Sequence, residues 1–270
     1  MEKDFIRKLL LAISLETGGD YDRMMEAILR KEYPSDEQVE NAEKRIKCGY
    51  ITCIDPEYPS HLKHVYKPPI VIYYYGDISL LYKEKESIAV IGSREASTRG
   101  VRITNTFVKE LVPDYVIVSG LALGIDAAAH ESAIINGGKT IAVLGSGIDY
   151  CYPSKNIDLY KLIKEKGLVI SEYPNSTLPE ISFFPKRNRI IAGLAKGVLI
   201  TEAKRRSGTL ITVNWAQSMA KEVMCVPYRV EDDSGCNQLI KEGAFMVEDS
   251  DDVRLIMDGT ANLKKTLMWP

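Results

Sequence analysis

Six short apolar runs, recurring through residues 88–227, leave this chain few ways to fold. They read IAVIG (88–92), YVIVSG (115–120), TIAVLG (140–145), LVIS (168–171), GVLIT (197–201) and EVMCVP (222–227). Each is nearly continuous in Val, Ile, Leu and Ala, without polar alternation. A strand covered on both faces reads this way, and parallel sheets are covered on both faces. Helical stretches of about 10–15 residues lie between the runs and complete βαβ units. The expectation is an α/β fold with an extended Rossmann-like, doubly wound, mostly parallel sheet, preceded by a small helical N-terminal module.

The N-terminal module is expected over residues 1–55. Phe5, Ile6, Leu9, Leu10 and Ile13 recur at helical spacing, and so do Met24, Met25, Ile28 and Leu29. Gly18-Gly19-Asp20 breaks between them, and Ser35-Asp36-Glu37 marks a third helix start running through Ile46. A stretch rich in Pro and Tyr then leads into a strand over residues 70–75. The Rossmann-like unit is expected over residues 56–255, and residues 256–270 read as a tail. Acidic residues precede the first apolar stretch and no small-residue cleavage site follows it closely, so it reads as a helix of the mature protein. No apolar run approaches the roughly 18 residues of a membrane span. The five cysteines (Cys48, Cys53, Cys151, Cys225, Cys236) contain no CxxC, which argues against zinc and a disulfide framework and fits a reducing cytoplasm.

In open α/β sheets, ligands bind beyond the carboxyl ends of the strands, near the point where strand order reverses. Several runs end there in small or polar residues. The first ends Gly92-Ser93-Arg94, with Ser97-Thr98 opening the next helix. The second ends Ser119-Gly120 and continues to Asp126, the third ends Gly145-Ser146-Gly147, and Glu202 to Thr209 follow the fifth. Small residues let backbone approach a ligand, and free amides at a helix start suit phosphate. One such loop is an ordinary turn, whereas three or four on one edge favour a polyanion site.

Two familiar phosphate motifs fail on inspection. Gly137-Gly138-Lys139-Thr140 resembles the end of a P-loop, but Ala133 stands where the leading glycine belongs and the segment enters a strand. No GxGxxG follows the first run, and Arg94 would crowd a pyrophosphate, so no dinucleotide cofactor is expected. Catalytic groups are sparse. His130 lies four residues beyond Asp126 on a predicted helix, an arrangement suited to Asp126 capping the helix or orienting the imidazole. Glu202 stands where a general base would, or else pairs with Arg94 or Arg189. No nucleophile accompanies either, so no enzyme activity and no cofactor are expected.

Charge is the last clue. Lys plus Arg is 35 and Asp plus Glu is 37, a net charge of −2 that excludes only bulk basicity. Residues 183–206 carry seven bases and one acid, a net +6, with Phe183 and Phe184 in front. Cations beside aromatic faces suit single-stranded nucleic acid. Residues 229–258 carry a net −6, a surface suited to a protein partner.

These segments together resemble the DNA-processing protein family DprA, also called Smf. The matching pieces include AVIGSREAS (89–97), VSGLALGIDAAAH (118–130), FPKRNRIIAGLA (184–195), EAKRRSGTLIT (202–212) and SGCNQLIKEGA (234–244), in order over about three quarters of the chain. The resemblance implies a dimer-forming protein that binds single-stranded DNA, protects it during natural transformation and helps load the RecA recombinase. Carried over by position, the DNA pocket would hold Gly92, Ser93 and Arg94, then Ser119 and Gly120. It would also hold Phe184, Lys186, Arg187, Asn188 and Arg189, with Lys204, Ser207, Gly208 and Thr209. Leu123 and Ile181 depart from the pattern, standing where the family usually has Arg and commonly Lys, and Pro227-Tyr228 replaces a Pro-Gly pair. DNA affinity through that pocket would then be weak, or carried by Lys186, Lys204, Arg205 and Arg206 instead. The alternative is a nucleotide-binding sensor or hydrolase of the LOG type, although that group's PGGxGTxxE run is absent.

Overall fold

A computed structural model describes residues 2–83, 86–175 and 177–259. Each of the six apolar runs forms a strand: β3 (Ser87–Gly92), β4 (Val116–Ser119), β5 (Thr140–Val143), β6 (Leu168–Ser171), β7 (Gly197–Glu202) and β8 (Glu222–Cys225). Three more strands join them, β1 (Gly49–Thr52), β2 (Val71–Gly76) and the two-residue β9 (Phe245–Met246). The sheet order is β1-β2-β6-β5-β4-β3-β7-β8-β9. From β6 to β9 every pair is parallel, while β2 runs antiparallel to β6 and β1 antiparallel to β2. The fold is therefore the α/β, Rossmann-like, mostly parallel sheet expected. Chain order reverses at β3, with β4, β5 and β6 on one side and β7, β8 and β9 on the other.

Helices α4 (Thr98–Leu111), α5 (Ile125–Ile135), α6 (Ile157–Lys166), α7 (Phe183–Leu194), α8 (Thr209–Ser218), α9 (Gly235–Lys241) and α10 (Ser250–Met257) connect or follow these strands. The missing polar alternation has a direct cause. Along β3, Ala89 and Ile91 face a cluster with Ile190, Ile191 and Val213, while Ile88 and Val90 face Phe107, Leu111 and Ala129. A strand alternates its side chains between faces, so burying both leaves no polar position.

The N-terminal segment forms α1 (Glu2–Thr17), α2 (Tyr21–Arg30) and α3 (Asp36–Glu40). Asp20 caps α2, its Oδ1 accepting from the amides of Asp22 and Arg23, each at 3.1 Å. Ser35 and Gln38 form a capping box on α3. This third helix stops at Glu40, and a 3₁₀ turn over Ala42–Arg45 replaces its expected continuation to Ile46. Leu10, Leu11, Ile13 and Met24 pack in one cluster with Tyr73 of β2 and Leu144. The buried Tyr73 hydroxyl bonds the Ser14 hydroxyl at 2.9 Å. On the outer strand, Arg7 Nη2 donates to the Tyr50 carbonyl and Asp55 Oδ2 accepts from the Thr52 amide. Residues 260–270 of the expected tail lie outside the described residues.

Candidate functional site

The reversal at β3 leaves a crevice beyond the carboxyl ends of β3 and β7, where such sheets bind ligands. A cavity of about 400 Å³ fills it. Gly92, Ser93 and Arg94 line it from β3. Lys204, Ser207, Gly208 and Thr209 come from the loop into α8, and Phe184, Arg187 and Asn188 from the first turns of α7. Gly92 is required by the crossing itself, since a Cβ there would stand 2.5 Å from the Glu202 carbonyl oxygen. The Ser93 amide donates to that same carbonyl at 2.8 Å, locking the two strand ends together.

The cavity lining carries unspent hydrogen-bonding capacity. The Ser207 Oγ is buried and has no partner among the described residues, and leaving a buried hydroxyl unpaired costs about 1–3 kcal/mol. Arg94 and Arg206 both line the cavity, and neither forms an ion pair among the described residues. Lys204 pairs with the exposed Glu95 at 2.6 Å.

Aromatic rings lie beside these donors. The Arg94 guanidinium lies 5.5 Å over the Phe184 ring, and the Phe184 and Tyr152 ring centroids are 5.4 Å apart. Gly145 makes room for Phe184, because a Cβ there would meet the ring at 2.7 Å. Leu123, Tyr152 and Gly120 line a smaller adjoining cleft of about 90 Å³. Leu123 thus borders the site, while Ile181, 90% exposed, stands just before α7.

Other candidate residues brace the walls. The buried Arg187 donates Nη1 to the carbonyls of Gly120 and Val143, and Nε to Asn188 Oδ1. Burial pushes its pKa down to about 10, which leaves it protonated at neutral pH. Asp126 accepts from the Gly120 amide at 3.1 Å; burial pushes its carboxyl up, against the pull of Arg187. Asp126 therefore serves the β4 loop and not His130, whose Nδ1 bonds Thr140 Oγ1 at 2.6 Å. Ser119 Oγ donates to the Val90 carbonyl, tying β4 to β3.

Arg189 is held away from the cavity. Its Nη1 and Nη2 donate to the two Glu172 oxygens at 2.8 and 2.6 Å, and Nη2 also reaches the Lys67 carbonyl. Lys186 pairs with Asp20 at 3.0 Å. Glu202 pairs with neither Arg94 nor Arg189. It accepts from the Ser97 amide and hydroxyl and from the Tyr228 hydroxyl, so it faces α4, and the carboxylates that line the cavity are those of Glu95 and Asp126. Tyr152 and Thr212 border the site without having been singled out as candidates. Tyr152 lies in the conspicuous GSGIDYCYPS loop, a signal that was available.

The arrangement is a donor-rich crevice beside an aromatic shelf, suited to an anion carrying a planar group. The sequence matches the family described as DNA recombination-mediator protein A over residues 49–257. The DNA processing protein DprA of Streptococcus pneumoniae is 45% identical over 202 residues, 74% of this chain and 71% of that protein. An X-ray structure of the S. pneumoniae protein superposes with a TM-score of 0.77 at 40% identity, covering 86% of this chain and 80% of that one. DNA processing protein A of Helicobacter pylori, whose structure is described for its single-stranded DNA binding mode, superposes at 0.70 with 29% identity over 81% of this chain and 98% of that one.

Proposed function

Because this chain belongs to the DNA recombination-mediator protein A family, we propose that it binds single-stranded DNA in the β3–β7 crevice. The Ser207 hydroxyl, unpartnered among the described residues, in the same crevice as Arg94 and Arg206 carries the reading. Phosphate oxygens would accept from these groups and from Lys204, whose exposed pair with Glu95 is weak enough to exchange. The Phe184–Tyr152 shelf offers bases a face on which to stack whatever their identity. In this reading Gly92, Ser93, Asn188, Gly208 and Thr209 shape the crevice, Ser119, Gly120 and Arg187 hold its walls, and Arg189 holds the neighbouring Tyr66–Lys67 turn. The protein acts by binding, without covalent chemistry. It protects the strand and passes it to the RecA recombinase, working as a homodimer in the cytoplasm. The family membership and the acidic 229–258 segment support a protein partner, and the five free thiols suit a reducing compartment.

Fluorescence anisotropy of labelled oligo-dT across a salt series tests the core of this. Three phosphate-contacting cations predict a log–log salt slope near −2, using about −0.7 per contact for a single strand. Absence of binding at micromolar protein in low salt would sink the proposal. Pull-down with RecA and light scattering test the partner and the dimer separately.

A further inference from the structure

We propose that a second cleft, between α2 and the α7–α8 pair, is where the same single strand continues, with Tyr66 taking a base and Lys67 and Lys186 taking phosphates. Asp20 and Asp22 of the N-terminal helices hold those lysines until the strand arrives. The inference rests on the DNA reading of the β3–β7 crevice.

The two clefts adjoin along the same helices. On α7, Asn188 borders the first, while Lys186 and Arg189 border the second. On α8, Thr212 borders the first and Trp215 the second. Less than one helical turn, about 5.4 Å of rise, separates them on each helix. The second cleft encloses about 110 Å³, well below the roughly 300 Å³ of pockets that enclose a free small ligand. A polymer laid across its rim is the better fit.

The rim offers the groups that a single strand uses. Tyr66 stacks on Trp215 at 5.7 Å with 19° between the rings, yet stays 60% exposed, so it presents an open aromatic face. The Lys67 ammonium lies 5.6 Å from the Tyr66 ring. This turn is deliberately held. Lys67 has φ 48°, uncommon for a residue other than glycine and disfavoured before the proline that follows. The buried Arg189 fixes it, donating to the Tyr66 and Lys67 carbonyls while its own charge is matched by Glu172.

Both lysines are occupied by carboxylates in positions that phosphates would take. Lys67 Nζ lies 2.6 Å from each Asp22 oxygen, and Lys186 Nζ lies 3.0 Å from Asp20 Oδ2. Such exposed pairs are worth little, so a phosphate chain anchored next door can displace them. Glu172 is committed to Arg189 and does not compete.

The test uses the full chain with Trp269→Phe, which leaves Trp215 the only tryptophan. An oligo-dT of about 20 nucleotides should quench Trp215 emission as it binds. Tyr66→Leu should weaken binding about tenfold, whereas Tyr66→Phe, which keeps the stack, should not. Asp20→Asn with Asp22→Asn should tighten binding about threefold, and the α2 cap survives because Asn caps as well as Asp. Binding seen by anisotropy without quenching of Trp215, or at parental affinity in Tyr66→Leu, overturns the cleft as a DNA contact. Unchanged or weaker binding in the double Asn variant overturns the holding role of the carboxylates. If the parent protein binds no oligo-dT, the DNA reading itself falls, and the cleft with it.

Discussion

A Cβ on Gly120 would stand 2.5 Å from Arg187 Nη2. The glycine that ends the β4 turn is thus the space that the buried guanidinium occupies. Gly120→Ala should overpack this point and cost about 1–3 kcal/mol, seen as a lower urea midpoint. It should also weaken oligo-dT binding, since Arg187 supports the crevice floor through the Gly120 and Val143 carbonyls.

Ser207→Ala should separate stability from binding. The Ser207 hydroxyl is buried without a partner among the described residues, so its removal should leave the melting temperature unchanged or raise it. Binding should fall about tenfold or more, the loss of one charge-assisted bond worth about 1.5–3 kcal/mol. A variant that melts lower and binds normally would show that the hydroxyl serves the fold.

Arg189→Met should be among the most damaging single changes. It leaves the Glu172 carboxylate buried and unpaired, at a cost of about 3–5 kcal/mol, and it releases the Tyr66–Lys67 carbonyls. Combining it with Glu172→Leu should recover much of that stability in urea unfolding. Recovery of binding should lag, because the turn at Lys67 stays unheld.

Acid should expose His130. Burial, aided by the Arg187 charge, pushes its pKa down to about 3, against about 6.5 in the unfolded chain. The unfolded state therefore takes up a proton first, and this contribution to stability, complete above pH 6.5, drains away as pH falls toward 3. His130→Asn, whose amide reaches toward Thr140 as Nδ1 does, should flatten that part of the stability profile. Equal acid slopes in parent and variant, by urea unfolding at stepped pH, would refute it.

The strands were legible because a buried parallel sheet forces every position of a strand to be apolar, and the six runs obey that rule. The crevice was legible because strand order must reverse somewhere, and ligands gather there. What the residue string does not carry is whether a cation is free. The +6 of residues 183–206 includes Arg187 and Arg189, both buried and spent on carbonyls or on Glu172. Glu202 looked like a base at a strand end, yet Gly100, far away in sequence, opens the space that draws its carboxylate to α4. The antiparallel addition of β1 and β2 was equally hidden, since a strand's direction depends on partners that its own residues do not name.

That addition has a kinetic consequence. Tyr73 of β2 pairs across from Ser171 of β6, so nearly a hundred residues intervene before the partner exists. The entropy of closing so long a loop must be met before the contact rewards it. Until then, α1 and α2 have only the antiparallel β1–β2 pair to pack on. The N-terminal helices thus join the main sheet only through a strand that lies nearly a hundred residues further along the chain.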